Sequence, residues 1–214
     1  MAASTFRDRV DAGTRLSAAL GSAGARDDVV VLGLPRGGVV VAAEVARGLG
    51  APLDVLVVRK VGVPGHEELA AGAVASGGTT VINDDVLVAT GLGQPEMEQR
   101  AAERHRAVEE MEQRLRGDRP ALDLAGRTAV LVDDGLATGA TMRAAAVAAR
   151  RAGAAWVVVA APVASREAVR LLEELADEVV CLSVPADLRA VGLSYRDFSP
   201  VREEEVRRLL QSAQ

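Results

Sequence analysis

Aromatic residues are nearly missing from this chain: Phe, Trp and Tyr together make up 2% of 214 residues. A folded core must therefore be assembled from Ala, Val and Leu. A single cysteine, Cys181, excludes an internal disulfide and fits a reducing compartment. Within "EVVCLSV" it reads as a small buried hydrophobe rather than a nucleophile. The two histidines, His66 and His105, lie far apart with no Cys/His cluster, which argues against a zinc site. There is no basic excess: 25 Lys and Arg against 30 Asp and Glu give a net charge of −5. That balance argues against a broad nucleic-acid surface and leaves room for a local basic pocket. No run approaches the roughly 20 apolar residues of a membrane span. The opening "MAASTFRDRVDAG" lacks the apolar core and cleavage site of a signal peptide. A cytoplasmic protein with neither a nucleic-acid nor a membrane partner is the expectation.

What is present is 49% hydrophobic and 26% charged residues, the balance of a folded globular domain, and the length suits one domain. Residues 4–21 place Phe6, Val10, Leu16 and Leu20 along one side of an expected helix. "DVVVLGL", 28–34, reads as a buried strand, followed by "PRGG" and an Ala/Val-rich helix to about Leu49. "LDVLVVR", 53–59, reads as a second buried strand, and "KVGVPGHEE" after it as a Gly/Pro-punctuated loop. Short strands are expected near 71–75 and 79–82. A long charged helix follows over 95–116, with Met97, Ala101, Val108, Met111 and Leu115 as a thin apolar stripe and its charges as a solvated face. From 127 the order is strand (127–133), helix (141–152), strand (156–161), helix (165–176), strand (178–183). Such alternation predicts an α/β fold, a parallel sheet with helices on both faces. Gly117–Pro120 is the best internal break, but both flanks share one sheet pattern, so a single domain over 1–214 is expected.

Ligands in such sheets bind beyond the carboxyl ends of the strands, where the loops are "PRGG", "KVGVPGHEE" and "DDGLATGAT". The third is the most informative. In "VLVDDGLATGATM", 130–142, a hydrophobic run meets two carboxylates, Asp133 and Asp134, and then Gly135 and Gly139 bracket Thr138. Residues 135–141 entering a helix offer backbone N–H groups, two hydroxyls and the positive end of the helix dipole, a phosphate site. Two carboxylates would repel a bare polyphosphate. They suit a ligand carrying a vicinal diol near its phosphate, because carboxylates accept strong hydrogen bonds from hydroxyls. Helix capping would explain one of the acids and not both. A Walker loop is excluded, since Ala140 follows Gly139, and the first strand lacks a dinucleotide fingerprint, having only Gly33, Gly37 and Gly38. No G-x-S-x-G elbow is present either.

"VLVDDGLATGATM" resembles the phosphoribosyl-pyrophosphate (PRPP) binding motif of type I phosphoribosyltransferases. "GLPRGGVVVA", "VRKVGVPGHEELAAGAVA" and "VGLSYRDF" resemble, in order and spacing, an uncharacterised bacterial phosphoribosyltransferase-like group. The resemblance implies a Rossmann-like parallel-sheet core at about 28–183 and a hood from about 1–27 and 184–214. It implies a transferase acting on PRPP with Mg2+, releasing pyrophosphate as a nitrogenous base or amine attacks, or else a non-catalytic PRPP or nucleotide sensor. By position, Asp133 and Asp134 would hold the ribose hydroxyls, and Gly135, Ala137, Thr138, Gly139, Ala140 and Thr141 would cradle the 5′-phosphate. Arg36, Gly37 and Gly38 resemble the pyrophosphate loop, where the family often has a non-proline cis peptide, and Lys60 would add charge to the same anion. Residues 61–68 correspond to a flexible loop that closes over the reacting centre. No direct protein ligand for the metal is implied, since Mg2+ would be held through PRPP and water. A homodimer is compatible with the family. The acceptor-recognising hood would be "VPADLRAVGLSYRDFSPV", 184–201, with Leu188 where purine-salvage members commonly stack an aromatic residue. Tyr195 and Phe198 either line that pocket or pack against helix 201–211.

Overall fold

A computed structural model of the chain describes residues 6–21 and 28–213. Five parallel strands form the main sheet: β1 (Val29–Gly33), β2 (Leu53–Val55), β6 (Thr128–Val132), β7 (Trp156–Val163) and β8 (Glu178–Ser183). Their order is β2-β1-β6-β7-β8, and every neighbouring pair is parallel. Both faces are buried, which is why these strands read as continuous apolar runs rather than alternating ones. In β1, Val29 and Val31 belong to one core while Val30 and Leu32 belong to the other. The first core takes in α1 (Arg9–Ala19), α2 (Gly37–Leu49), α4 (Gln94–Arg116) and α7 (Glu203–Ser212). The second takes in α5 (Ala140–Arg151) and α6 (Arg166–Glu173). The expected doubly covered α/β sheet is what the chain forms.

The remaining strands, β3 (Val58–Val63), β4 (His66–Ala75) and β5 (Thr79–Ile82), form a separate antiparallel sheet in the order β3-β4-β5. This corrects two expectations. Residues 53–59 are not one strand: β2 ends at Val55, and the chain crosses at Leu56 and Val57 into the second sheet. Residues 60–68 are not a loop of their own but the two arms of the β3–β4 hairpin, which turns at Pro64 and Gly65. Val61 and Val63 are buried against the first core, and the pairing register shifts at Gly62. A short helix, α3 (Asp84–Thr90), follows β5 where no element was expected.

The long helix α4 buries Met97, Ala101, Val108, Met111 and Leu115, the stripe expected from its sequence. Its end is strapped to the main sheet. Arg116 Nε donates to both oxygens of Asp54 at 3.0 and 3.2 Å, and the Leu122 N–H donates to the same carboxylate at 3.1 Å. With Asp54 only 2% exposed, these donors satisfy a charge that would otherwise be costly to bury.

The first helix differs from its expected form. Asp8 caps α1 by accepting from the Asp11 N–H at 2.8 Å, so Phe6 precedes the helix instead of belonging to it. Residues 4 and 5 of the expected helix lie outside the described residues. Leu16 and Leu20 are buried as expected, whereas Val10 is 47% exposed. Phe6 pairs as an isolated parallel bridge with Tyr195.

Candidate functional site

The order β2-β1-β6 reverses direction between β1 and β6, and in an open parallel sheet such a switch point leaves a crevice beyond the strand ends. Two loops meet there. After β1, the chain turns through Pro35–Arg36, whose peptide bond is cis, into Gly37 and Gly38 at the start of α2. After β6 come Asp133 and Asp134. The two loops are in contact: a Cβ on Gly38 would lie 2.8 Å from both Cα and Oδ1 of Asp133. A Cβ on Gly37 would overlap Asp134 Oδ2 and stand 2.8 Å from Arg9 Nε. Glycine at these positions is therefore a packing requirement of the acid pair.

The two carboxylates, both half-buried, are held differently. Asp133 Oδ1 accepts from the Asp134 N–H at 2.9 Å. Burial, together with the neighbouring Asp134 charge, pushes the Asp133 carboxyl well above the usual range. Asp134 is raised too, by burial, but Arg9 opposes the shift. Arg9 Nε donates to Asp134 Oδ2 at 2.8 Å, with side chains 11% and 17% exposed. The Tyr195 hydroxyl donates to the Asp134 carbonyl oxygen at 2.5 Å, and burial raises its pKa.

Residues 135–139 lead into α5. Gly139 takes φ +75°, a left-handed conformation that suits glycine, and the Ala140 N–H at the head of α5 donates to Thr138 Oγ1 at 3.4 Å. The first turn of α5 carries no acidic residue, and Ala137 and Thr138 are exposed. The positive end of α5 thus faces outward beside the acid pair.

Cations lie on the opposite flank. Arg36 is exposed at the cis turn. Lys60 lines a cavity of about 230 Å³ between the hairpin and α5, together with Asn83, Ala140, Arg143 and Leu171. On the other face of β3, half-buried Arg59 donates to Met111 Sδ at 2.6 Å. Burial chiefly lowers the Arg59 pKa, helped by the charges of Arg114, Arg104 and Arg36. Arg36 and Lys60 are expected from the sequence; Arg59 is not, and its alternate position in the strand turns it to the other face from Lys60. Nor is Arg9 expected, 125 residues from its partner Asp134.

Tyr195 and Phe198 pack rather than line an open pocket. Tyr195, 5% exposed, lies between Phe6 at 5.4 Å and Phe198 at 5.0 Å between ring centroids. The Arg9 guanidinium carbon sits 3.8 Å from the Phe198 ring centroid. Their packing partners are thus Phe6 and Arg9, not the helix at 201–211 named as the alternative. Cys181 is half-buried, its thiol raised by burial and donating to the Ser183 carbonyl at 3.2 Å. Among the described residues no group of three or more His, Cys, Asp or Glu could hold a metal ion, and no helix is long and apolar enough to cross a membrane.

With this geometry in view, similarity to known proteins is informative. The family model for the phosphoribosyl transferase domain matches residues 6–197. The chain belongs to that family. Two curated relatives from Mycobacterium tuberculosis, strains CDC 1551 and H37Rv, carry the provisional name phosphoribosyl transferase and are each 50% identical over 203 residues. The match covers 94% of this chain and 45% of theirs, so the chain spans about half the length of these relatives. A crystal structure of the Thermus thermophilus protein TT1426 is 49% identical, with a TM-score of 0.86 over 97% of this chain and 98% of that one. A Neisseria gonorrhoeae protein crystallised with bound ppGpp shares the fold at 12% identity, with a TM-score of 0.51 over 100% and 99% of the two chains. In this phosphoribosyl transferase domain, the hydrophobic run, acid pair and glycine–threonine loop of residues 130–142 coincide with β6, the switch point and the start of α5.

Proposed function

We propose that this domain binds PRPP and transfers its ribose 5-phosphate to a nitrogenous acceptor, releasing pyrophosphate. The observation that carries the reading is the meeting of Asp133 and Asp134 with the Arg36–Gly38 turn across the β1/β6 switch point. Asp133 and Asp134 accept hydrogen bonds from the ribose 2′- and 3′-hydroxyls. The backbone of 135–141, with Thr138 and Thr141, holds the 5′-phosphate at the start of α5. Arg36 and Arg59 attract the pyrophosphate, with Gly37 and Gly38 letting the backbone approach it. Lys60 shares a cavity with Ala140 and Arg143, which supports a role for it nearer the phosphate loop than its sequence position suggested.

In the reaction, the C1′–O bond to pyrophosphate breaks and its electron pair leaves with pyrophosphate. The acceptor nitrogen supplies the pair for the new C1′–N bond and then sheds its proton. Arg36 offsets the charge of the departing pyrophosphate, and a bound Mg2+ would add positive charge there. Such an ion would be held mainly through the ligand and water, since Mg2+ needs few protein ligands and no group of three or more His, Cys, Asp or Glu stands among the described residues to hold it directly. The β3–β4 hairpin is the element able to shield the reacting centre from water. The working compartment in this reading is the cytoplasm, and a homodimer is compatible with it.

Calorimetry of PRPP with magnesium, beside ribose 5-phosphate alone, tests the site. Binding weaker than millimolar, about −4 kcal/mol, would sink it. A screen of bases and amines scored by pyrophosphate release then identifies the acceptor. Members that salvage 6-oxopurines resemble this loop but carry an Asp where Ala137 stands, and positioned acid–base catalysis contributes about 100- to 10,000-fold. Hypoxanthine and guanine should therefore show negligible turnover. The same alanine favours a second reading, a PRPP- or nucleotide-binding regulator with no transfer chemistry. Tight PRPP binding with no pyrophosphate release from any acceptor would select it.

A further inference from the structure

Among the described residues, the hood residue Arg9 is the one cation buried against the acid pair, and none of its contacts was foreseen from sequence. Its guanidinium is fixed three ways: Nε donates to Asp134 Oδ2 at 2.8 Å, Nη1 donates to the Ser199 carbonyl at 2.9 Å, and the plane lies over the Phe198 ring. Phe198 is in turn packed on Tyr195, whose hydroxyl grips the backbone of Asp134 itself. Two segments far apart in the chain, the start of α1 and residues 195–199, thus converge on a single residue, Asp134. Gly37 leaves the space they use.

We propose that Arg9 is the positioning residue of the ribose site: it holds Asp134 as an oriented carboxylate, one oxygen spent on Arg9 and the other presented to the ligand. The ligand's part in this rests on the PRPP reading; the positioning of Asp134 does not. Oδ1 of Asp134 accepts no hydrogen bond from the described residues, and a carboxylate has lone pairs for several donors. Arg9 therefore orients the acid without competing for the diol. A second effect follows from charge. Asp134 stands beside Asp133 in a half-buried cleft, where proximity and burial both favour a proton on the pair. A protonated Asp134 would be a poorer acceptor for a hydroxyl, and Arg9 opposes that protonation. The other ionisable groups around the contact are few. Tyr195 meets Asp134 from the hood with Cys181 behind it, and Asp197, Asp8 and Glu205 lie on the outer side of Arg9. None of these supplies a positive charge to the pair.

The carboxyl carbon of Asp134, followed by NMR against pH, tests this without any ligand. Asp134→Asn assigns the signal. In Arg9→Gln, which keeps a donor but no charge, the Asp134 titration should move upward by about one unit or more, a tenfold change in its protonation equilibrium. Arg9→Lys should restore most of it. An unmoved titration in a folded Arg9→Gln would overturn the proposal. If Arg9→Gln does not fold, the Arg9 Nε proton of the unaltered protein decides instead. Its resonance should shift with the Asp134 titration, and a resonance indifferent to it would overturn the proposal. PRPP affinity supplies the second arm. Arg9→Gln should weaken binding about tenfold, yet less than twofold when Asp134→Asn is already present, since the effect passes through that carboxylate. Equal losses in both backgrounds would mean that Arg9 acts elsewhere. A protein that never binds PRPP would defeat the functional reading while the carboxyl titration still judged Arg9.

Discussion

The two flanks of the switch-point crevice carry opposite charge and are held by opposite means. On the acid flank, Asp134 already has a counter-ion, since Arg9 reaches it from α1 at 2.8 Å. On the cationic flank, the side chains of Arg36, Lys60 and Arg143 have no carboxylate or hydrogen-bond partner among the described residues. A half-buried acid whose charge is matched internally gains from neutral donors such as hydroxyls. A cation left unmatched beside a helix start gains most from an anion that arrives from outside. The difference supports the proposed ligand, one that carries hydroxyls together with phosphate groups. A phosphorylated sugar has that layout, and in a phosphoribosyl transferase domain PRPP is the phosphorylated sugar to test.

The largest effect should come from the cationic flank. Arg36→Ala removes a charge-assisted contact worth about 1.5–3 kcal/mol, so PRPP should bind about 10- to 150-fold more weakly. Ribose 5-phosphate, lacking the pyrophosphate, should be nearly unaffected. Titrating both ligands by calorimetry checks the pair, and equal losses would erase the distinction between the two ends of the crevice.

Next in size is the contact between the flanks. Gly37→Ala drives a methyl group into Asp134 Oδ2 and towards Arg9 Nε. Overpacking of this kind costs about 1–3 kcal/mol, and each kcal/mol lowers the melting temperature of a domain this size by about 2–4 °C. The same substitution should weaken PRPP binding by displacing Asp134. A variant melting at the unaltered temperature would mean that the acid pair is not held against the α2 turn.

The two sheets differ in how plainly they could be read. In the parallel sheet, burial on both faces writes β1, β6 and β7 as apolar runs, and β1, β6, β7 and β8 lie within a few residues of their expected bounds. The antiparallel sheet was obscured at its entrance. Leu56 and Val57 are 5% and 0% exposed although they belong to neither sheet, so hydropathy carries no mark where the chain changes sheets. Gly62, Pro64 and Gly65 looked like loop composition, yet Pro64 and Gly65 only turn the hairpin and Gly62 only shifts its register. The candidate site shows the same division. Arg36–Gly38, Asp133 and Asp134 are adjacent in sequence to strand ends, so topology brings them together. Arg9 and Tyr195 reach Asp134 through tertiary packing alone, and no local spacing signals a partner 125 or 61 residues away.

The smallest expected effect separates the two acids themselves. Asp133 carries a carboxyl pushed well above its usual range, first by burial and then by the Asp134 charge. A carboxyl that holds its proton more tightly folded than unfolded stabilises the fold fully below its unfolded pKa, about 3.9. That contribution is lost as pH rises through the elevated folded value. Near neutrality Asp133 is thus a burden on the fold, which its proposed role in binding would account for. Asp133→Asn keeps an oxygen to accept from the Asp134 N–H and removes the charge. Thermal melts should place it a few degrees above the unaltered protein at pH 7–8 and level with it at pH 4, while PRPP binding falls. Asp134→Asn should not share the gain, because it strips Arg9 of its counter-ion inside the hood. If both variants melted higher by the same amount, Arg9 would not distinguish the two acids, and the acid flank would be as unmatched as the cationic one.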